Sequence, residues 1–318
     1  MRIASLLPSA TEIVALVGGR DELVGVSHEC DFPAGVDALP VLTRTRTELP
    51  RSSGAIDRAV REILQDALTV YEIEIDVLRS AQPDVIVTQD LCDVCAVSLD
   101  DVRRALAELV REDARIVSLS PGKLADVWAD VRSVAEATGH AEEGTAAVAE
   151  LERRVAELEE RTSALGSRPD VLTVEWIDPV MIGGTWMPEL VRIAGGTALV
   201  TEPGQHAPTL DLDALRALDP DVVLVKPCGF ELERTRSEAD VLRRTLPWDE
   251  WSAVRDGRVY VADGNAFFNR PGPRLVESAE ILAACLHPEA CADLAEKHAG
   301  SVRRIEPDGA WVAAAAAR

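Results

Sequence analysis

Two cysteines three positions apart, Cys92 and Cys95, stand in VTQDLCDVCAVS, residues 87–98. A C-x-x-C pair has three chemical uses: a dithiol redox couple, half of a metal or cluster site, or part of a pocket wall. A redox couple needs a lowered thiol pKa, and the carboxylates of Asp90 and Asp93 beside these thiols oppose thiolate formation. A thiolate set of Cys30, Cys92, Cys95 and Cys228, with His28 as a further donor, has the ligand types of zinc or an iron–sulfur cluster. A single C-x-x-C with no second such pair leaves that metal or cluster reading open beside the pocket-wall reading. In the latter, thiol or imidazole lines a pocket or serves as an axial partner to a ligand's metal. Cys285 and Cys291 lie in the apolar helical stretch ILAACLHPEACADL and read as small packing residues. Glu175 and Asp178 flank Trp176, yet nothing completes an acid–base set around them. No phosphate loop, dinucleotide fingerprint or Ser–His–Asp order appears. The expectation is a binding protein, with a cytosolic metal- or cluster-binding protein or enzyme that uses these cysteines as the alternative.

The elements that must position these residues come in two sets. LRSAQPDVIV (78–87) and LRALDPDVVL (215–224) match at an offset of about 137, and TEIVALVGG (11–19) matches PELVRIAGG (188–196) at an offset of about 177. Both pairs run in the same order, so the chain reads as two related halves. Each half alternates strand and helix, which predicts an α/β class with mainly parallel strands. Strands are expected near Ile3–Leu7, Leu23–Ser27, Asp84–Thr88 and Arg115–Leu119, then near Val171–Glu175, Val222–Val225 and Val259–Ala262. Ser9 and Glu12 form an S-x-x-E pattern that predicts a capping box. Helical periodicity covers residues 124–138 and 141–165, with Leu151, Val155 and Leu158 on one face, until Pro169 stops it. The division expected is an N-terminal lobe over residues 1–122, linking helices over 123–168, a C-terminal lobe over 169–300 and a tail over 301–318.

Charge narrows the partners. Among 318 residues the formal net charge is −22. Of the 33 basic residues only Lys123, Lys226 and Lys297 are lysines. Such a surface repels nucleic acid and anionic lipid and suits a salt-rich cytosol. No window has the length and apolarity of a membrane span. The first strand is expected at Arg2, without a preceding leader or lipid-acceptor cysteine, which reads as cytoplasmic. An extracytoplasmic location follows if translation starts upstream.

In open parallel sheets ligands bind beyond the carboxyl ends of strands. The loops expected there are HECDFP (28–33), QDLCDVC (89–95), WIDPVMIGGTW (176–186), KPCGF (226–230) and DGNAFFNRPGPR (263–274). They concentrate the chain's unusual residues. The candidate ligand-binding set is His28, Glu29, Cys30, Asp31, Gln89, Asp90, Cys92, Glu175, Trp176, Trp186, Cys228, Phe230, Asn265, Phe267, Phe268, Asn269 and Arg270. Flat aromatic and amide groups of this kind suit a large planar ligand with a polar rim.

RIASLLPSATEIVALVGGRDELVGVS, the two PDV strand starts and VRDGRVYVADGNAFFNRPGPRLVE together resemble the substrate-binding proteins of ABC importers, the cobalamin and ferric-siderophore class with a helical backbone. The resemblance covers about residues 2–290. The H-E-C-D, D-L-C-x-V-C, P-C-G-F and F-N-R-P-G-P motifs resemble those of a branch described as cobalamin-binding. The resemblance implies a class III periplasmic-binding-protein-like fold, two Rossmann-like lobes joined by a long backbone helix. It also implies a small-molecule ligand, cobalamin or a related corrinoid or another metal chelate, held in the cleft between the lobes, and an ABC importer permease as partner. One importer-docking acid per lobe is implied too; Glu72 or Glu74, and Asp211 or Asp213, occupy suitable positions.

Overall fold

The structure, a computed structural model, describes residues 1–66, 70–90 and 114–314. By their internal contacts these residues form two compact units. One comprises Met1–Arg51, Ala55–Leu151 and Pro271–Pro273, the other Ser52–Gly54, Glu152–Arg270 and Arg274–Arg318.

The first unit holds a parallel sheet of β1 (Ile3–Ser5), β2 (Leu23–Gly25), β5 (Val85–Gln89) and β6 (Arg115–Leu119), in the order β2-β1-β5-β6. A separate antiparallel pair, β3 (Thr43–Thr45) with β4 (Tyr71–Ile73), completes its strands among the described residues. Helices α1 (Pro8–Leu16), α2 (Ser53–Asp66), α3 (Ile75–Ala81) and α4 (Leu124–Ala137) alternate with them. Ala4, Leu6, Leu42, Leu78 and Ile86 form a buried core there.

The second unit is built on a sheet of seven strands: β7 (Asp170–Trp176), β8 (Met181–Ile182), β9 (Thr197–Ala198), β10 (Val222–Val225), β11 (Val259–Ala262), β12 (Val302–Ile305) and β13 (Trp311–Ala313). β9, β7, β10 and β11 run parallel in that order. β8 lies antiparallel to β7 and β12 antiparallel to β11, and β13 follows β12. The segment set apart by sequence as a tail thus continues this sheet. Helix α5 (Ala141–Ser163) runs through the division at residues 151/152, so the linking helix contributes to both units. The later helices are α6 (Met187–Ile193), α7 (Leu212–Arg216), α8 (Leu232–Ser237), α9 (Ala239–Thr245), α10 (Ser252–Arg255), α11 (Leu275–Leu286) and α12 (Ala292–Lys297).

The repeat read from sequence is visible atom by atom. The orders β2-β1-β5-β6 and β9-β7-β10-β11 are the same path. The aspartate of each PDV grips the neighbouring strand: Asp84 accepts the Arg2 N–H at 2.9 Å and Asp221 accepts the Asp170 N–H at 2.8 Å. Each is answered by its own N–H donating to the carbonyl of that same residue. The helix ends match equally well. Gly18 and Gly195 are left-handed, at φ +93 and +84. The following Gly19 and Gly196 donate to Val14 and Val191, closing the six-residue loop that ends a helix at glycine.

The expected capping box is a correction. Pro8 opens α1 behind Leu7, without a side-chain cap. Proline at a first helical position is already set to a helical φ. Ser9 therefore falls inside the first turn, its hydroxyl buried without a partner, and Glu12 is buried as well.

Candidate functional site

Because β1, β2, β5 and β6 are parallel, the segments after them gather on one edge of the first unit. There the loop after β2 carries His28, Glu29, Cys30 and Asp31, and Gln89 ends β5 with Asp90 just beyond it. The β3–β4 pair supplies the support. Thr43 of β3 donates to Ser27 Oγ at 2.9 Å, and its Oγ1 lies 2.8 Å from His28 Nδ1 and 3.2 Å from the His28 backbone N–H. Tyr71 of β4 meets the imidazole edge to face, centroids 5.0 Å apart. His28 is half-buried. Its Nε2 is shielded from solvent without a hydrogen-bond partner; Glu29 Oε1 stands 3.4 Å away, within ion-pair reach but outside hydrogen-bond geometry.

Cys30 points the other way. Its sulfur is 3.1 Å from Thr11 Oγ1, and Thr11 donates to Ser5 Oγ at 2.8 Å, which donates to the Leu7 carbonyl at 3.1 Å. With Thr11 committed to Ser5, the thiol is the donor that starts this buried chain. Gln89 is buried at the end of β5, and Asp90 beyond it is exposed. Cys92 and Cys95 lie outside the described residues, so their place in a pocket wall or thiolate set has no structural account. Among the described residues no three of His, Cys, Asp and Glu come together as a metal would require.

In the second unit the parallel strands β7, β10 and β11 likewise release their loops on one edge. At its centre is Lys226, fully buried at the end of β10. Its ammonium donates to Glu175 Oε2 at 2.8 Å and to Asn269 Oδ1 at 2.7 Å. Asn269 returns its amide N–H groups to the carbonyls of Lys226 and Gly264, at 2.9 and 2.8 Å. The end of β7 and the loops after β10 and β11 are thus tied at one point. Gly264 is required here, because a Cβ on it would lie 2.1 Å from the Pro227 carbonyl oxygen. Lys226 escaped the sequence reading, which treated KPCGF as the setting for Cys228. Its signals were the rarity of lysine in this chain and its place opposite Gln89 in the repeat, 137 positions on.

The five aromatics at the strand ends and in the loops divide by burial. Trp186, Phe230 and Phe268 are 5%, 1% and 1% exposed and act as packing, whereas Trp176 and Phe267 stay partly open. Trp186 Nε1 donates to the Phe268 carbonyl at 2.8 Å. Trp176 meets Phe230 edge to face, centroids 5.2 Å apart, and the Arg234 guanidinium lies 3.9 Å over the other ring. Arg274 lies 5.4 Å over Phe267. Arg270 is buried and donates to Asn265 Oδ1 at 3.0 Å, so it orders the 263–270 loop from within. Cys228 is half-buried in the turn after β10, its N–H donating to the Glu175 carbonyl. Of the acids placed by resemblance, Glu72 and Glu74 both pair with Arg44, and Glu72 also with Arg46. Asp211 caps α7, and Asp213 is 92% exposed.

Two α/β units with matching parallel sheets, each offering a strand-end edge of aromatic, amide and carboxylate groups, define a solute-binding fold. The chain belongs to the periplasmic binding protein family, whose profile matches residues 3–266. Several solved structures share the fold. A periplasmic heme-binding protein from Pseudomonas aeruginosa superposes with a TM-score of 0.69 at 20% identity, covering 91% of this chain and 93% of that one. The periplasmic vitamin B12-binding protein BtuF of Vibrio cholerae gives 0.62 at 20% identity, with 90% and 96% covered. IsdE of Staphylococcus aureus, complexed with heme, gives 0.67 at 13%, with 90% and 98% covered. No curated protein matches the chain significantly. Among the described residues no helix is long and apolar enough to cross a membrane.

Proposed function

We propose that this solute-binding protein is a receptor for a metal chelate of tetrapyrrole size, cobalamin or a related corrinoid first among them, which it binds without chemical change. The observation that carries the reading is the equipment of the strand-end loops. One unit offers a held imidazole, His28, with exposed Glu29 and Asp31. The other offers the partly open rings of Trp176 and Phe267 on a scaffold fixed by Lys226. Imidazole and carboxylate groups suit a metal-centred ligand with a polar periphery, and partly open aromatic rings suit a flat one. Proteins of the same fold whose names specify heme or vitamin B12 support the size class. An ABC importer permease fits as partner, with exposed Asp213 as a docking acid.

The test is a calorimetric competition panel of aquocobalamin, cobinamide, hemin and a ferric chelate against purified protein. The proposal expects a saturable corrinoid signal that the other chelates displace only at higher concentration. Equal, non-saturable signals from the whole panel would remove it.

A further inference from the structure

We propose that His28 Nε2 is the protein's ligand to the metal centre of that chelate, with Thr43 as the residue that sets its tautomer. The inference rests on the receptor reading above and deepens it. Thr43 has one hydroxyl proton and donates it to Ser27. Toward His28 its oxygen can then only accept, so Nδ1, at 2.8 Å, carries the ring proton. A neutral imidazole protonated at Nδ1 keeps its lone pair on Nε2. Nε2 is the ring nitrogen without a hydrogen bond, although it is shielded from solvent. A ring nitrogen held by a hydroxyl on one side and left open on the other is the arrangement of a histidine that binds metal, where the outer hydrogen bond fixes tautomer and orientation. Tyr71, edge-on to the ring, limits its rotation. What stands beside Nε2 is the Glu29 carboxylate, whose side chain is 41% exposed. Metal binding requires that carboxylate to move aside and uncover the nitrogen, a rotamer change of the kind exposed side chains make. Binding is then a ligand exchange: the Nε2 pair displaces a water from the metal, the water leaves, and no electron is transferred.

Diaquocobinamide and hemin are the probes, read by visible absorption on the intact protein. The expected result is a bound probe whose bands move from the aquo positions to those of the same probe in free imidazole. In His28→Ala the bands return to the aquo positions and Kd rises, by at least the about 10-fold to 100-fold that loss of an outer-shell support alone costs. Thr43→Val, close to isosteric, gives a partial return, while Thr43→Ser keeps the wild-type bands. Saturable binding with aquo bands in the wild type, or a shift that survives His28→Ala, overturns the assignment and leaves the receptor reading standing. Absence of saturable binding by either probe overturns both.

Discussion

At the scale of single residues, the two charged groups that matter most to the second unit are Lys226 and Glu175, and they are unequal partners. The ammonium is 1% exposed and the carboxylate 29%. Removing one member of a buried pair is costly because the other is stranded. Lys226→Met leaves a carboxylate that water still reaches, and it should cost about 2 kcal/mol. Glu175→Gln leaves a fully buried ammonium with neutral partners such as Asn269 and no counter-charge, and should cost more. Urea denaturation of both variants decides; the reverse order would show that the carboxylate is the dependent partner. In the first unit Asp130 of α4 behaves oppositely. Burial, reinforced by the Asp126 carboxylate one turn earlier, pushes its carboxyl up to about 7 against a contact with the Ser120 backbone. One of its oxygens is buried without a partner. The folded state therefore holds a proton that the unfolded chain has released above about pH 4. This group's contribution falls as pH rises from about 4 to 7 and stays low above. Relative to wild type, Asp130→Asn should be near neutral at pH 3 and stabilising at pH 8 by about 1 kcal/mol, discounted for the carboxyl's partial hydration. An equal difference at both pH values would contradict the assignment.

At the scale of elements, the paired helix ends give a graded test. A non-glycine residue in the left-handed region costs roughly 1–2 kcal/mol. Gly18→Ala meets only that cost, since its nearest neighbour to a new Cβ is His140 Nδ1 at 3.9 Å, whereas Gly195→Ala would set a Cβ 2.7 Å from His287 Nε2. Thermal melts should rank Gly195→Ala well below Gly18→Ala, and equal losses would mean that both His287 and Thr162, 2.7 and 2.9 Å from the new Cβ, give way freely. The elements legible in the sequence were those with a hydrophobic reason to exist. Arg115–Leu119, Val222–Val225 and Val259–Ala262 match their strands residue for residue, and the strands opening with PDV start at the residue after the aspartate. The strands that escaped lack such a signal. Thr43-Arg44-Thr45 and Tyr71-Glu72-Ile73 hold their place by pairing with each other and by the ion pairs of Arg44. Val302-Arg303-Arg304-Ile305 is half charged and exists because β11 offers an edge. The capping box failed because Pro8 set the helix start ahead of it. The site was legible as a set of loops but not as a set of roles. Burial separates Trp186, Phe230 and Phe268 from Trp176 and Phe267, and residue type alone cannot express burial.

At the scale of the whole molecule, a net charge of −22 with 55 acidic residues makes self-repulsion a general cost of folding. Salt shortens the reach of that repulsion, from a Debye length of about 10 Å at 0.1 M to about 3 Å at 1 M. The melting temperature should rise on going from 0.1 to 1 M KCl, and a fall would indicate that local ion pairs such as those of Arg44 and Arg154 outweigh the global field. The same charge and the same pair of strand-end edges frame the central claim, that this family member is a receptor for a tetrapyrrole-sized metal chelate. The measurement that tests it most directly is equilibrium dialysis of the full chain against aquocobalamin, cobinamide and hemin. The account predicts saturable uptake of a corrinoid at one per chain with a Kd of about 1 μM or tighter, a free energy of about −8 kcal/mol. Uptake that fails to saturate below about 1 mM for all three, weaker than about −4 kcal/mol, would contradict it.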